Sequence, residues 1–270
     1  MKIYFQWEPW AYSHIASKIA ADWLKLENTD ILWVQNFWLV WENISEEAVG
    51  VLPIENSYAW SIHENMYKFL RFPYKVIWEI QFPIRHCLLS KWTDIDKIKK
   101  VYSHPQALSQ CYDFLKSKWI EAISYLDTAW SAKMVSETWD ETIAAIASKE
   151  AWEIYWLNRL AEDIQDQDGN TTRFFIVASE KSNIEYTNKN NKTTIIFEAR
   201  NIPASLYKCL WAFATNSINL TKIESMPDLK NPFSYIFWLD FEGSSNQTNI
   251  KEALKELNYF TKEYKIIWEY

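Results

Sequence analysis

Hydrophobic and polar positions along the first 180 residues predict strands and helices in alternation. Residues 1–6 form a short apolar strand pattern, and Ile15, Ile19 and Leu24 lie at helical spacing within a predicted helix over about 11–26. Further strands are predicted at 49–54, 76–77, 84–89, 101–102, 121–126, 143–149 and 173–178, with helices near 61–70, 106–117, 150–156 and from about 129. This alternation predicts an α/β fold.

The pattern changes after residue 180. The stretch 181–192 is polar and rich in Asn and Lys, which is typical of a linker. Beyond it, strands are predicted at 193–198, 218–225, 233–241 and 260–268, and helices at 203–215 and 247–258. This order is that of a ferredoxin-like βαββαβ unit, so we expect two domains, 1–180 and 192–270.

Charge, apolar runs and cysteine spacing exclude several classes of protein. A net charge of −7 over 270 residues argues against a nucleic-acid partner. No run approaches the ~18 apolar residues of a membrane span, and the N-terminal residues turn polar too soon for a signal peptide. Cys87, Cys111 and Cys209 have neither a disulfide-framework nor a zinc-site spacing. We therefore expect a cytoplasmic protein with no membrane partner.

Glycine is scarce and tryptophan abundant, with 3 Gly and 17 Trp. Typical glycine usage of ~7% would give about 19 glycines in such a chain. Several tryptophans stand where a backbone needs positive φ, as in the turn 7–10 and at Trp119, where a helix should end. We hypothesise that the source organism reads the codon UGA as glycine and that the sequence was translated with a code that reads UGA as tryptophan. The alternative is a naturally Trp-rich protein. Trp23 and Trp238 are candidates for genuine tryptophans.

Four loops carry candidate chemistry, at 6–13, 53–57, 103–110 and 170–174. The first three each lead from a strand into a helix N-terminus, where free N–H groups and the helix dipole favour anions. Arg173 in the fourth offers a planar fork for a carboxylate. Taken singly, each loop is explained at least as well by ordinary helix capping or a surface charge.

Together, the loops resemble those of prephenate dehydratase in the form with a C-terminal ACT regulatory domain. The signatures P-I-E-N-S, S-H-P-Q-A-L and T-R-F stand intact at 53–57, 103–108 and 172–174, and 218–225 is similar to the most recognisable ACT strand. The family's glycines fall on tryptophans of this chain, namely Trp7, Trp10, Trp60, Trp78, Trp92, Trp130, Trp156, Trp211 and Trp268.

The resemblance implies an α/β fold with a two-lobed, periplasmic-binding-protein-like catalytic domain followed by a ferredoxin-like ACT domain. The lobes are expected to cross near 77–82 and 160–172. The implied reaction converts prephenate to phenylpyruvate with loss of water and carbon dioxide, a step of phenylalanine biosynthesis. No organic cofactor and no metal are implied.

Site residues follow from the same resemblance. Thr172 is expected at the leaving hydroxyl and Arg173 at a substrate carboxylate, with Glu55 and His104 either reserve proton donors or loop supports. The expected substrate-binding residues are Asn56, Ser57, Ser103, Gln110, Thr171 and Phe174. Ser103 and Gln110, seven residues apart, are expected to face one cleft. No spacing typical of ligand-binding residues surrounds His14, His63 or His86. We expect these histidines to be structural or surface residues.

The ACT resemblance implies phenylalanine binding at a subunit interface of a homodimer or homotetramer. The residues expected at that effector site are Ala204, Ser205, Leu206, Asn219, Leu220, Glu224 and Ser225. The chain departs from the family pattern twice, because Ala204 stands where the family has Gly and Met226 where it has Arg.

Three alternatives remain open at this stage. An arogenate dehydratase performs the same chemistry on the aminated substrate. A solute-binding protein uses a two-lobed α/β fold without chemistry, since fold alone does not fix function. An amino-acid sensor would keep the effector site beside an inactive cleft.

Overall fold

The computed structural model describes residues 1–6, 9, 11–25, 29–184, 192–232 and 234–269, including the backbone but not the side chain of Trp60. Trp7 and Trp10, which the sequence places in a turn, lie outside the described residues, as does most of the expected linker. The chain divides into two compact units, one formed by 1–72 with 79–182 and the other by 73–78 with 183–270.

The first unit contains two sheets, which form two lobes. The first sheet has the order β2-β1-β3-β11-β5, with β4 paired to β3. Its strands are β1 (Lys2–Gln6), β2 (Asp30–Val34), β3 (Ala48–Asn56), β4 (Trp60–Ser61), β5 (Tyr74–Pro83, of which residues 79–83 belong to this unit) and β11 (Thr171–Ser179). β1 pairs in parallel with β2 and β3, whereas β11 runs antiparallel to β3.

The second sheet has the order β10-β6-β9-β7-β8. Its strands are β6 (Cys87–Ser90), β7 (Lys100–Ser103), β8 (Glu121–Ser124), β9 (Ile143–Ala147) and β10 (Asn158–Ala161). The chain crosses between the sheets at 84–86 and returns over 162–170. The predicted first crossing at 77–82 is wrong, because those residues lie inside β5, which is one long strand rather than a short one followed by a connection.

Seven helices and one 3₁₀ turn flank these sheets in the described part of the first unit. They are α1 (Tyr12–Trp23), α2 (Phe37–Asn43), α3 (His63–Arg71), the turn Ile95–Lys97, α4 (Pro105–Gln110), α5 (Tyr112–Ser117), α6 (Thr128–Glu137) and α7 (Ala151–Tyr155). The helix predicted over 106–117 is two helices, since Cys111 leaves the helical region with φ −118° and ψ 23°.

The two central strands of the first sheet, β3 and β11, are buried on both faces. Seven consecutive residues of β3, from Ala48 to Ile54, are buried. Gly50 belongs to this run, and a Cβ at that position would lie 2.9 Å from side-chain atoms of both Val40 and Ile44. Glycine therefore lets α2 pack closely against the strand.

The second unit has the ferredoxin-like topology that its sequence predicts. Its elements are β12 (Lys192–Ala199), α8 (Ser205–Thr215), β13 (Leu220–Pro227), β14 (Tyr235–Glu242), α9 (Thr248–Phe260) and β15 (Thr261–Glu269), with the sheet order β13-β14-β12-β15. Both helices pack on the sheet over a core that includes Phe197, Phe213, Leu239 and Leu257.

The three cysteines are buried thiols without disulfide partners. Burial raises the pKa of Cys87 and of Cys209 to about 11, so both stay protonated near neutral pH. No helix within the described residues is long and apolar enough to cross a membrane.

Candidate active site

A cleft lies where the two lobes of the first unit face each other. It encloses about 670 Å³ of space, including open solvent at its mouth. The lining residues come from both lobes and from the segments that cross between them; they are Tyr12, Ser13, Pro53, Asn56, Ile62, Ile84, His86, His104, Gln106, Ala107, Gln110, Asp127, Thr128, Thr172 and Phe174. A small polar molecule with an apolar ring suits this mixture of amide, hydroxyl and hydrocarbon groups.

Thr172 is held at the cleft by Asn56. The two residues are Cα partners in the antiparallel pairing of β11 with β3. Asn56 Nδ2 donates to Thr172 Oγ1 at 2.9 Å. Asn56 Oδ1 in turn accepts from the backbone N–H groups of Tyr58 and Ala59 at 3.0 and 2.9 Å, which fixes the orientation of the amide. Because Thr172 Oγ1 is the acceptor in this bond, its own hydrogen remains available for a ligand.

A chain of hydrogen bonds continues from Asn56 across the cleft. Asn56 Nδ2 also donates to Asn170 Oδ1 at 2.7 Å, and Asn170 Nδ2 donates to Gln110 Oε1 at 2.9 Å. Gln110 Oε1 lies 2.9 Å from Nε2 of His86. Since the Gln110 oxygen can only accept, the hydrogen of this last bond is on the imidazole. Thr172 therefore lies at one end of a hydrogen-bond network that includes residues of both lobes.

His86 is almost fully buried within this network. Two acceptors lie near the Tyr12 hydroxyl, namely Nδ1 of His86 at 3.1 Å and the backbone carbonyl of Arg85 at 2.8 Å, and they share its single hydrogen. Burial lowers the pKa of His86 below its usual 6.5, so the ring is neutral near pH 7. Sequence reasoning missed this residue, and the only available signal was its place just before a strand at the crossing between lobes.

His104 caps a helix at the cleft. Its Nδ1 accepts from the N–H of Gln106 at 3.2 Å in the first turn of α4. Burial lowers the pKa of His104, which favours the neutral ring that this bond requires. An imidazolium would lose the cap, so the geometry favours the loop-supporting role over that of a reserve proton donor.

Arg173 does not occupy the position expected of a substrate anchor. Its side chain is 7% exposed and is not among the described residues that line the cleft. Its Nη1 donates to Glu55 at 2.9 Å and its Nε donates to Glu79. Thr172 and Phe174 line the cleft on either side of it in sequence, as expected when alternate strand residues point to opposite faces. Arg173 and Glu55 thus form an ion pair on the face of the strand away from the described lining, which agrees with a supporting role for Glu55, while the expected roles of both residues at the substrate remain predictions.

Three other predicted substrate contacts are engaged within the protein. Ser103 Oγ is fully buried and donates to the carbonyl of Ile146 at 2.7 Å, so it ties β7 to β9 and does not share a cleft face with Gln110. Ser57 Oγ donates to the carbonyl of Gly169 at 3.2 Å and accepts from the N–H of Thr171 at 3.0 Å. Ser57 and Thr171 therefore hold the loop that precedes Thr172.

The described lining of the cleft includes no lysine and no arginine, and its one acidic residue is Asp127. Asp127 is 3% exposed, and its side chain accepts from the N–H of Trp130 at 2.8 Å, which caps α6. Among the described lining residues, the side-chain groups that can donate a hydrogen bond to an anion are therefore hydroxyl, amide and imidazole groups.

In the second unit, the expected effector residues lie in two segments. Ala204 immediately precedes α8 with φ 60°, and Ser205 Oγ donates to the carbonyl of Phe260 at 3.2 Å. Leu206 and Leu220 pack on the unit's core. Asn219, Glu224 and Ser225 lie just before or within β13, where Glu224 pairs with Lys222 at 3.2 Å.

No cluster of three or more His, Cys, Asp or Glu side chains within the described residues could hold a metal ion.

Comparisons with known proteins define the class. The family model for prephenate dehydratase matches residues 3–182. A prephenate dehydratase of Methanocaldococcus jannaschii is 37% identical over 261 residues, which cover 96% of this chain and 94% of that protein. An arogenate dehydratase/prephenate dehydratase of Arabidopsis thaliana is 38% identical over 284 residues, covering 99% of this chain and 71% of that one.

The fold is also found among solved structures. One described as a novel type of quorum-quenching acylase superposes with a TM-score of 0.86 at 27% identity, covering 99% of this chain and 97% of its own. The family match and the two relatives settle the membership, and the chain belongs to the prephenate dehydratase family.

Proposed function

We propose that the protein converts prephenate to phenylpyruvate, water and carbon dioxide in phenylalanine biosynthesis. The proposal rests on the hydroxyl of Thr172. Its oxygen accepts a hydrogen bond from Asn56 at 2.9 Å, so its own hydrogen remains available for a bond to the substrate. This hydroxyl stands at the cleft in a family whose named members include prephenate dehydratases.

The reaction breaks two bonds and makes the ring aromatic. The carbon–oxygen bond of the ring hydroxyl breaks as that oxygen receives a proton and leaves as water; the proton comes from solvent and passes through the Thr172 hydroxyl, which gives up its own hydrogen and regains one. The carbon–carbon bond to the ring carboxylate breaks at the same time, and its electron pair enters the ring as carbon dioxide departs. Hydroxide is a poor leaving group, so a hydrogen bond donated by Thr172 that strengthens as the carbon–oxygen bond lengthens lowers the barrier.

The neutral lining of the cleft suits the second bond cleavage. A cationic side chain paired with the ring carboxylate would stabilise the substrate more than the transition state, in which that charge moves into the ring. Lys and Arg are missing from the described lining, and the nearby guanidinium of Arg173 is engaged by Glu55 and Glu79. Both features leave the ring carboxylate free to depart.

A second candidate substrate is arogenate. It undergoes the same fragmentation but carries an ammonium group, and the Arabidopsis relative is named for both substrates. The buried carboxyl group of Asp127 in the lining is the kind of group that an ammonium contacts.

Regulation and assembly complete the proposal. We infer that the second unit is an ACT domain that binds phenylalanine through Ala204–Leu206 and 219–225 and joins subunits into a homodimer or homotetramer. The ferredoxin-like order of its elements supports this assignment. We also propose a cytoplasmic location, which suits a biosynthetic enzyme.

The test offers prephenate and arogenate separately and measures phenylpyruvate and phenylalanine release. It uses the chain as written and the chain with glycine at the family-matched tryptophan positions. We expect phenylpyruvate from prephenate in at least one form. If the protein converts arogenate but not prephenate, arogenate is the substrate. If folded protein converts neither compound, the enzyme assignment is overturned.

A further inference from the structure

Ser13 is a polar side chain in the cleft that the mechanism does not use. The residue is 2% exposed and lines the cleft. Its hydroxyl has no hydrogen-bond partner among the described residues, while its backbone carbonyl accepts from Ser17 Oγ at 2.8 Å. Because this hydroxyl borders the cleft and no described residue engages it, it is suited to hydrogen-bond a ligand there.

Ser13 also lies in the first turn of α1, which runs for 12 residues and has no side-chain cap. The carbonyl of Ala11 accepts from the N–H groups of His14 and Ile15 at 2.8 and 3.2 Å, which are the first bonds of the helix. The N–H groups of Tyr12 and Ser13 precede these and have no intrahelical acceptor. The positive end of the helix dipole is directed toward the same place.

Three other helices begin at the described lining, and side chains cap two of them. His104 accepts from the N–H of Gln106 in α4, and Asp127 accepts from the N–H of Trp130 in α6. The fourth helix, α3, follows the lining residue Ile62 and also has no side-chain cap, but Glu64 lies in its first turn, and a carboxylate there disfavours an anion. The first turn of α1 has no acidic residue and carries the Ser13 hydroxyl, so it suits an anion better. In a cleft whose described lining has no Lys or Arg, this turn is the strongest feature available to a carboxylate.

We propose that the first turn of α1, with the Ser13 hydroxyl and the N–H groups of Tyr12 and Ser13, binds the side-chain carboxylate of the substrate. This inference rests on the proposed function. Prephenate carries one carboxylate that departs and one, on the pyruvyl side chain, that remains in the product. Firm binding of the departing group would oppose the reaction, whereas firm binding of the retained group holds substrate, transition state and product alike. The α1 turn is thus assigned to the retained carboxylate.

The product distinguishes the two carboxylates, because phenylpyruvate keeps only the retained one. We expect Ser13→Ala to raise the KM for prephenate by about tenfold, as for loss of a hydrogen bond to a charged group. The inhibition constant for phenylpyruvate should rise by a similar factor, while kcat changes by less than about threefold. Ser13→Thr keeps the hydroxyl and should restore both constants toward those of the parent.

Ser17→Ala is the matched control. Ser17 lies one turn further along α1, is fully buried and is not among the described lining residues. Its removal should leave KM and the phenylpyruvate inhibition constant unchanged, which separates carboxylate binding from a general effect on the helix. A thermal unfolding midpoint for each variant reports whether α1 is intact.

Two outcomes overturn the inference. If Ser13→Ala leaves both constants unchanged, the turn binds no substrate carboxylate. If Ser13→Ala lowers kcat but leaves the inhibition constant for phenylpyruvate unchanged, Ser13 contacts the departing carboxylate and not the retained one. Failure of the proposed function is a separate result, because it appears as absent turnover in the parent protein. In that case, direct titration of the parent and of Ser13→Ala with phenylpyruvate still tests the turn.

Discussion

At the residue scale, side chains that line the cleft alternate along β11 with side chains that hold the strand in place. Thr172 and Phe174 line the cleft, whereas Arg173 between them is buried against Glu55 and Glu79. The T-R-F signature identifies the family but does not specify which of its residues reach the substrate. That information comes from the strand period and from which face of β11 borders the cleft.

The tryptophans occupy two kinds of environment, one suited to glycine and one suited to a real indole ring. Such a division is expected if UGA codons for glycine have been translated as tryptophan. Trp119 and Trp156 have φ of 57° and 52° and are 93% and 89% exposed, which is a glycine environment just after a helix. Trp41 and Trp238 are fully buried, and their indole N–H groups donate to Asn65 and Asp240 at 3.1 and 2.8 Å. The latter are environments that only a real indole satisfies.

We therefore predict glycine at 119 and 156 and tryptophan at 41 and 238 in the native protein. Peptide mass spectrometry of protein from its own source measures this directly, and the gene should have UGA codons at the first pair and UGG at the second. Tryptophan at both 119 and 156 would contradict recoding at the positions that favour it most.

Five of the ten predicted catalytic and substrate-binding residues line the cleft, namely Thr172, His104, Asn56, Gln110 and Phe174. The others support it from behind, and this distinction depends on tertiary contacts such as that of Ser103 with Ile146. His86 is the opposite case, because the sequence did not predict it at the cleft although it lies there. A lone histidine before a strand gives no sequence signal, yet the crossing between lobes buries it beside Gln110.

At the element scale, long periodic segments were predicted well and short irregular ones were not. The strand at β11 and the βαββαβ order of the second unit follow from apolar runs and turn residues. β2 and α2 were missed because Trp-rich stretches around residues 33–41 obscure the period. The break at Cys111 was missed because no Gly or Pro marks it.

The start of α8 provides a test at this scale. Ala204 occupies the left-handed region with φ 60°, where a Cβ is disfavoured by ~1–2 kcal/mol. We expect Ala204→Gly to raise the free energy of unfolding by about 1 kcal/mol in urea denaturation of the intact chain. Ala214→Gly, at an exposed position within α8, is the control and should lower it by about 1 kcal/mol. A loss of stability in both variants would contradict the assigned backbone conformation.

At the scale of the whole molecule, buried histidines connect stability to pH. Burial, with a smaller contribution from Lys18, lowers the pKa of His14 from 6.5 to about 4. Its ring stacks on Phe5 with centroids 4.9 Å apart. Because the folded pKa lies below the unfolded one, the unfolded state binds more protons between these values. The stabilisation is complete above pH 6.5 and is lost as the pH falls toward 4.

We predict that His14→Phe, which keeps the stacking but cannot titrate, loses less stability between pH 7 and pH 5 than the parent does. Urea unfolding at the two pH values measures the difference. Equal losses in the two proteins would show that His14 does not contribute. His86 and His104, whose pKa values are also lowered by burial, act in the same direction and remain in both proteins.

The central claim is that the Thr172 hydroxyl, oriented by Asn56, donates a hydrogen bond to the departing hydroxyl of the substrate. Thr172→Ser keeps the hydroxyl, whereas Thr172→Val keeps the shape and removes it, so this pair isolates the group in question. Single-turnover release of phenylpyruvate from bound prephenate is the measurement. We predict a rate within about tenfold of the parent for Ser and a loss of at least about 100-fold for Val. A Val variant that turns over at close to the parental rate would contradict the account.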